Sequence, residues 1–230
     1  MRRRFVHFLL ADVTKFFVDF TTMLASIATV ITLVYFLHDR REAANIAAWT
    51  LLHTYLKEDR GKPADAAQIA ALATLVDNRV EFTNADLSGI VVINGRLREM
   101  QGGEANFSGA RMIRSDLTDG IFARADLDSA RFEECVCNDI HFDGANLARA
   151  FLSGSYLRTD FSYANISDVL ILEGSSLDAF ALRQACFQAG HPPLLPHDQD
   201  IRPPVNPQGD KCMAAWGGKW VTLETPQSGH

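Results

Sequence analysis

Residues 105–127, ANFSGARMIRSDLTDGIFARADL, carry a large apolar residue at every fifth position: Phe107, Met112, Leu117, Phe122 and Leu127. The same step runs back through Leu97, Val92 and Leu87 to Phe82. It runs forward through Phe132, Cys137, Phe142, Leu147 and Leu152 to Leu157. Of these sixteen positions fifteen are apolar, the exception being Gly102. Two residues before most of them stands a small residue, as at Ala85, Ala105, Ala110, Ala125, Ala130 and Ala145. The other positions are mostly Asp, Asn, Arg, Ser, Thr and Gly.

A period of five fits neither common element. On an α-helix, steps of five scatter the apolar residues around the cylinder. On a straight strand, an odd step sends successive large residues to opposite faces. One buried line survives only if the backbone turns a corner every five residues, with one large and one small inward side chain per side. The pattern predicts an all-β solenoid whose turns bury their core by stacking on one another.

Ala85-Asp86-Leu87-Ser88-Gly89, Ala105-Asn106-Phe107-Ser108-Gly109, Ala125-Asp126-Leu127 and Ala145-Asn146-Leu147 resemble the unit of the pentapeptide-repeat family. The resemblance implies a right-handed quadrilateral β-helix of four repeats per coil, so that residues twenty apart stack. The implied core is Phe82, Leu87, Phe107, Leu117, Phe122, Leu127, Phe132, Phe142, Leu147 and Leu152, with about five coils between positions 82 and 187. Three defects interrupt it. Gly102-Gly103 predicts a bulge or a loose coil, and the step shortens to four between Leu157 and Phe161. Between Ile171 and Leu177 it lengthens to six.

The flanks differ from the repeat, and the chain divides into residues 1–41, 42–79, 80–188 and 189–230. Phe20 to Leu37 contains no charged residue. Eighteen residues rising ~1.5 Å each reach about 27 Å, close to a bilayer's hydrocarbon thickness. This predicts a single transmembrane helix, about residues 20–37, retained rather than cleaved, because Asp12 and Lys15 interrupt any leader-like start. Four basic residues lie on each side (Arg2, Arg3, Arg4 and Lys15; Arg40, Arg41, Lys57 and Arg60), so the positive-inside rule returns a tie. The side of the repeat domain is left undetermined, with the cytoplasmic side slightly favoured. Ile46, Trp49, Leu52 and Leu56 then mark a helix over 42–59. Pro63 opens a second over about 64–76, the two forming a short helical neck. Seven of the eight prolines lie in residues 188–230, a tail expected to cover the last coil.

The residues capable of chemistry are better placed for structure. Cys135 and Cys137 fall on the small and large inward positions of one repeat, as core residues. Cys186, His191, His197 and Cys212 match no compact zinc spacing. His141 is an outward, solvated position. Four cysteines fit a reducing compartment, with a single bridge left open. No nucleophile elbow, phosphate loop or HExxH motif occurs. The expectation is a non-catalytic protein without cofactor or metal.

Charge offers a second reading. Residues 77–187 hold seventeen Asp and Glu against ten Arg, a net of −7, with no Lys. Some pentapeptide-repeat proteins present an acidic rod that resembles duplex DNA and occupies topoisomerase sites. Here Arg96, Arg98, Arg111, Arg114, Arg124 and Arg131 interrupt the acidity. Together with Asp126 and Asp128 they form the expected interaction surface. The preferred expectation is a membrane-anchored scaffold docking on a membrane protein or complex. It contacts the lipid bilayer, does not bind nucleic acid directly, and leaves a homodimer open. The alternative is an acidic DNA-mimic inhibitor or protector of a topoisomerase-type enzyme.

Overall fold

From Asn84 onward the backbone enters the left-handed region about every fifth residue: Asn84, Gly89, Asn94, Glu99, Glu104, Gly109, Arg114, Asp119, Arg124, Ser129, Glu134, Asp139, Gly144 and Arg149 all have φ between 49° and 65°. These are the corners that a five-residue period demands. The computed structural model describes residues 2–178, 181–188, 190–197 and 212. The side chains of residues 2–22 and 25 lie outside the described set.

Between corners the chain is extended and pairs with the turn above and below. The core residue's N–H donates to the carbonyl of the residue nineteen further on, as from Leu87 to Asn106 and from Phe107 to Asp126, at 2.8 and 2.7 Å. Asn106 in turn donates its N–H to Ala85 O at 2.9 Å. Strands β1 (Val91–Ile93), β2 (Arg111–Ile113), β3 (Arg131–Val136), β4 (Phe151–Tyr156) and β5 (Leu170–Ile171) stack in that order, all parallel. β6 (Ser176–Leu177) also pairs with β4. Five stacked strands enclose about four turns of solenoid, fewer than the five expected from counting to residue 187. Past β4 the closures stretch: Leu170 bridges Leu194, twenty-four residues on, so this lap no longer repeats the twenty-residue turn.

All ten named core residues, from Phe82 to Leu152, are at most 1% exposed. Phe142 packs on Phe122, Phe132 and Phe161 with ring centroids 5.9, 5.9 and 5.4 Å apart. The Asp or Asn before the core residue has its own task. Its side-chain oxygen accepts the N–H two residues on, in Asp86, Asn106, Asp116 and Asn165 alike. Asn106 Nδ2 donates to Asp86 Oδ1 and Asn146 Nδ2 to Asp126 Oδ1, at 3.2 and 3.0 Å, tying turn to turn.

Two of the three defects resolve differently from expectation. At Gly102 no bulge forms, and its N–H still donates to Ile121 O at 2.8 Å. A Cβ there would lie 2.9 Å from the Phe122 ring and 3.0 Å from Phe107, so neighbouring aromatics already fill the space. The short step is absorbed before Leu157. The β3–β4 register shifts between Phe132 and Cys135, opposite Leu152 and Gly154. Tyr156, not Leu157, therefore takes the core position, wholly buried and paired with Leu177. The long step is taken up by residues 172–175.

By contact the chain forms two compact units, Met1–Ile46 and Ala47–His230. One helix, α1 (Arg2–Glu58), covers both the expected span and the first neck helix. In the first unit, Met23, Leu24, Ile27, Val30, Ile31, Leu33, Val34, Tyr35, Phe36 and Leu37 are all exposed. Among the described residues no helix is long and apolar enough to cross a membrane, and within the expected span 20–37 the side chains of residues 20–22 and 25 lie outside the described set.

In the second unit, the last turns of α1 and α2 (Ala66–Asp77) cap the first turn of solenoid. α2 starts two residues later than expected, because Asp65 and Gln68 form a capping box while Pro63 bridges to Val91. Leu52, Leu72, Leu75 and Val76 are buried, and Trp49 meets Phe82 edge-on at 5.4 Å. The Tyr55 hydroxyl donates to Lys62 O at 2.7 Å and accepts the Val91 N–H at 3.0 Å. At the other end, Cys186 and Cys212 form a disulfide and pack with Tyr163. The tail is thereby fastened to the last lap at residue 212.

Candidate interaction surface

The ladder distributes the eight expected surface residues rather than gathering them. Arg96 and Arg98 flank the core residue Leu97 on one side of the coil. Arg111 and Arg131 precede Met112 and Phe132 on another, and Asp126 and Asp128 flank Leu127 on a third. Arg114 and Arg124 stand at corners, with φ of 49° and 55°. No single side carries all of them.

Most are already engaged. Arg98 reaches Asp116 and Asp119 at 3.4 and 3.1 Å. Arg111 and Arg131 share Glu133 at 3.3 and 2.8 Å, and Arg131 also lies over the Phe151 ring. Arg124 pairs with Glu104, and Asp128 with Arg149. Arg114 Nε donates to Asn94 Oδ1 at 3.2 Å, and Asp126 accepts from Asn146. Arg96 is exposed and forms no ion pair among the described residues.

The same holds along the rod. With Arg79–Glu99 and Arg158–Asp139 included, seven of its ten arginines sit beside a carboxylate, almost all across adjacent turns. Arg131 holds the Glu133 carboxyl below the usual carboxylate range against its burial, and Arg158 does the same for Asp139. For Asp116, burial works the other way, but the Thr118 hydroxyl and N–H and then Arg98 lower it on balance. Exposed pairs of this kind are worth between zero and about 1 kcal/mol each. Their larger effect is on the field, because acidity that is neutralised pair by pair cannot project as one negative face.

The shape of the surface changes where the repeat slips. Glu133, Ser153, Gly154, Ser155, Glu173 and Ser175 line an open groove of about 590 Å³ beside the β3–β4 shift. Nothing in the spacing of core residues revealed it, although both slips bounding it are legible as steps of four and six. Cys135 and Cys137 are buried free thiols, as expected of core residues. Cys135 Sγ reaches Met112 O at 3.1 Å, and burial pushes the Cys137 thiol well up. Of the C-terminal residues that match no zinc spacing, Cys186 and Cys212 are bonded to each other, and His191 pairs with Asp168 at 2.9 Å.

Residues 81–119 and 121–159 match the pentapeptide repeats family in eight copies. These residues are pentapeptide repeats. No curated protein sequence matches the chain significantly. Among solved structures, the chain is similar to a pentapeptide repeat protein from the cyanobacterium Cyanothece 51142, at 18% identity over 51% of this chain and 90% of that one, TM-score 0.39. It is also similar to a pentapeptide repeat protein of the Arabidopsis thaliana thylakoid lumen, at 28% identity over 39% and 66% of the two chains, TM-score 0.24. A third is QnrB1, a plasmid-mediated fluoroquinolone resistance protein, at 15% identity over 47% and 67%, TM-score 0.21.

Proposed function

We propose that this chain is a membrane-anchored, non-catalytic scaffold whose pentapeptide rod, a right-handed quadrilateral β-helix, docks on a membrane protein or complex. The handedness follows from parallel crossover connections, which are right-handed in nearly all sheets. The observation that carries the anchor is the uncharged run Phe20–Leu37, whose described large side chains, from Met23 to Leu37, stand exposed all round the helix. A helix apolar on every side needs an apolar surrounding.

The Cys186–Cys212 disulfide bears on orientation. Disulfides persist in oxidising compartments and are rare in reducing ones. It favours the rod lying on the oxidising side of the membrane, against the slight preference for the cytoplasm drawn from sequence. The DNA-mimic alternative is weakened by the arginine–carboxylate pairs, which break up the acidic field that it needs.

Affinity capture from detergent-solubilised membranes, comparing the full chain with one lacking residues 1–41, tests the reading. A membrane protein recovered with the full chain, and lost when groove residues such as Glu173 and Ser175 are replaced by arginine, is the expected result. Inhibition of a topoisomerase by the chain lacking its anchor would favour the alternative instead.

A further inference from the structure

We infer that His141, Asp143 and Asp160 form a binding site for a first-row divalent cation of the zinc class on one side of the rod. One imidazole nitrogen and one oxygen from each carboxylate all lie within 4.8 Å of one another. In a tetrahedral site with bonds near 2.1 Å the donors stand about 3.4 Å apart. Rotation of these outward side chains about their own torsions covers that difference without moving the backbone.

The backbone beneath them is fixed. His141 and Asp160 are bridge partners on adjacent turns. The His141 N–H donates to Gly120 O and the Asp160 N–H to Ile140 O, both at 2.9 Å, and Phe142 N–H donates to Asp160 O at 2.8 Å. Asp143 follows Phe142, whose wholly buried ring anchors the strand. The three donors thus sit on a rigid frame, which favours a metal over a mobile loop's approximate geometry. Asp160 is oriented further, because its Oδ1 accepts the Ser162 N–H at 2.9 Å and leaves Oδ2 for an ion.

Charge pairing also sets this cluster apart from those carboxylates of the rod that pair with arginine. Asp116, Asp119, Asp128, Glu133, Asp139 and Glu104 each have an arginine partner. Asp143 and Asp160 take part in no ion pair among the described residues, with His141 or with any arginine. The nearby Arg124 donates its N–H to Asp143 O at 2.9 Å but turns its guanidinium to Glu104. Two carboxylates without a counter-charge, converging with an imidazole, are a donor set of mixed nitrogen and oxygen. Such a set suits zinc and its first-row neighbours rather than calcium, which takes six or more oxygens. Three protein ligands leave a coordination position open to solvent, where water or a donor from a docked partner completes the shell.

The test is equilibrium dialysis of the tag-free full chain in detergent against Zn²⁺, with bound metal per chain measured for wild type and for His141→Ala, Asp143→Asn and Asp160→Asn. The visible absorption of bound Co²⁺ reports the same site. One equivalent is expected in the wild type, with affinity falling at least about tenfold in each variant. The metal-free melting temperature should not change, because all three side chains point away from the core. Asp143→Asn and Asp160→Asn preserve shape, so a folding defect cannot produce the loss. Absence of binding in the wild type, or equal binding by all four proteins, would overturn the inference.

Discussion

At Gly154 the backbone has φ of 127°, and a Cβ there would lie 2.0 Å from Cys135 O and 2.7 Å from Cys135 N. Those are main-chain atoms of the neighbouring turn and cannot swing aside. Gly154→Ala should therefore lower stability by about 3 kcal/mol in chemical denaturation, combining backbone strain with overpacking. Corner residues give the opposite sign. Glu134 sits at φ 54° with its side chain exposed, and left-handed backbone costs a non-glycine residue about 1–2 kcal/mol. Glu134→Gly relieves that strain at the expense of unfolded-state entropy, so a gain of up to about 1 kcal/mol is expected, and Glu134→Val a loss. The register slip brings Tyr156 into the core, and its buried hydroxyl, beside the Cys137 thiol and the Ser153 backbone, makes no well-formed hydrogen bond among the described residues. Tyr156→Phe should stabilise the rod by up to about 1 kcal/mol, because it removes a desolvated hydroxyl whose polar neighbours are a thiol and a backbone group in poor hydrogen-bond geometry.

Among elements, the junction between α1 and the first turn of solenoid is a polar clasp as much as an apolar one. Arg60 Nη2 reaches Asp86 Oδ2 at 3.1 Å, Nη1 donates to Ser88 O at 3.0 Å, and Nε donates to Leu56 O at 3.0 Å. Hydrogen bonds from Arg60 and then Ser88 lower the Asp86 pKa from 3.8 to about 2. The folded value is the depressed one, so its stabilisation is complete above about pH 4 and disappears as pH falls through about 2. Thermal melts between pH 6 and 2 should show this loss in the wild type. The decline should be shallower in Arg60→Ala, which has already lost the interaction at neutral pH; parallel curves would contradict the assignment.

The five-residue period picks out the main inward line from Phe82 to Leu152, because one large side chain per side is a steric demand that composition cannot disguise; Ile90, Met100 and Ile140, buried at the second inward position, lie off it. What it missed depended on neighbouring turns. Gly102 looked like a gap until Phe107 and Phe122 were seen to fill it. Apolar type cannot tell Leu157 from Tyr156, so the slip reads at Leu157, and only the pairing of Gly154 with Cys135 and of Tyr156 with Leu177 decides. The expected surface failed to gather for a similar reason. Residues near in sequence, such as Arg111 and Arg114, lie on different parts of a turn, whereas His141 and Asp160 become neighbours only through the ladder.

At the scale of the molecule, its two ends carry the features that the repeat lacks. The Cys186–Cys212 disulfide makes a chemical prediction distinct from the two thiols in the core. Alkylation of unreduced protein under denaturing conditions should label Cys135 and Cys137 alone, and label all four cysteines only after reduction. Labelling of all four without reduction would remove the argument for the oxidising side. The other end bears on the central claim, that the rod is held at a membrane by the helix preceding it. Alkaline carbonate extraction of membranes from cells expressing the full chain, beside a chain beginning at Ala47, tests it most directly. The full chain is expected to stay in the membrane pellet while the shorter one, which keeps the whole second compact unit, appears in the supernatant. Release of the full chain into the supernatant would contradict it.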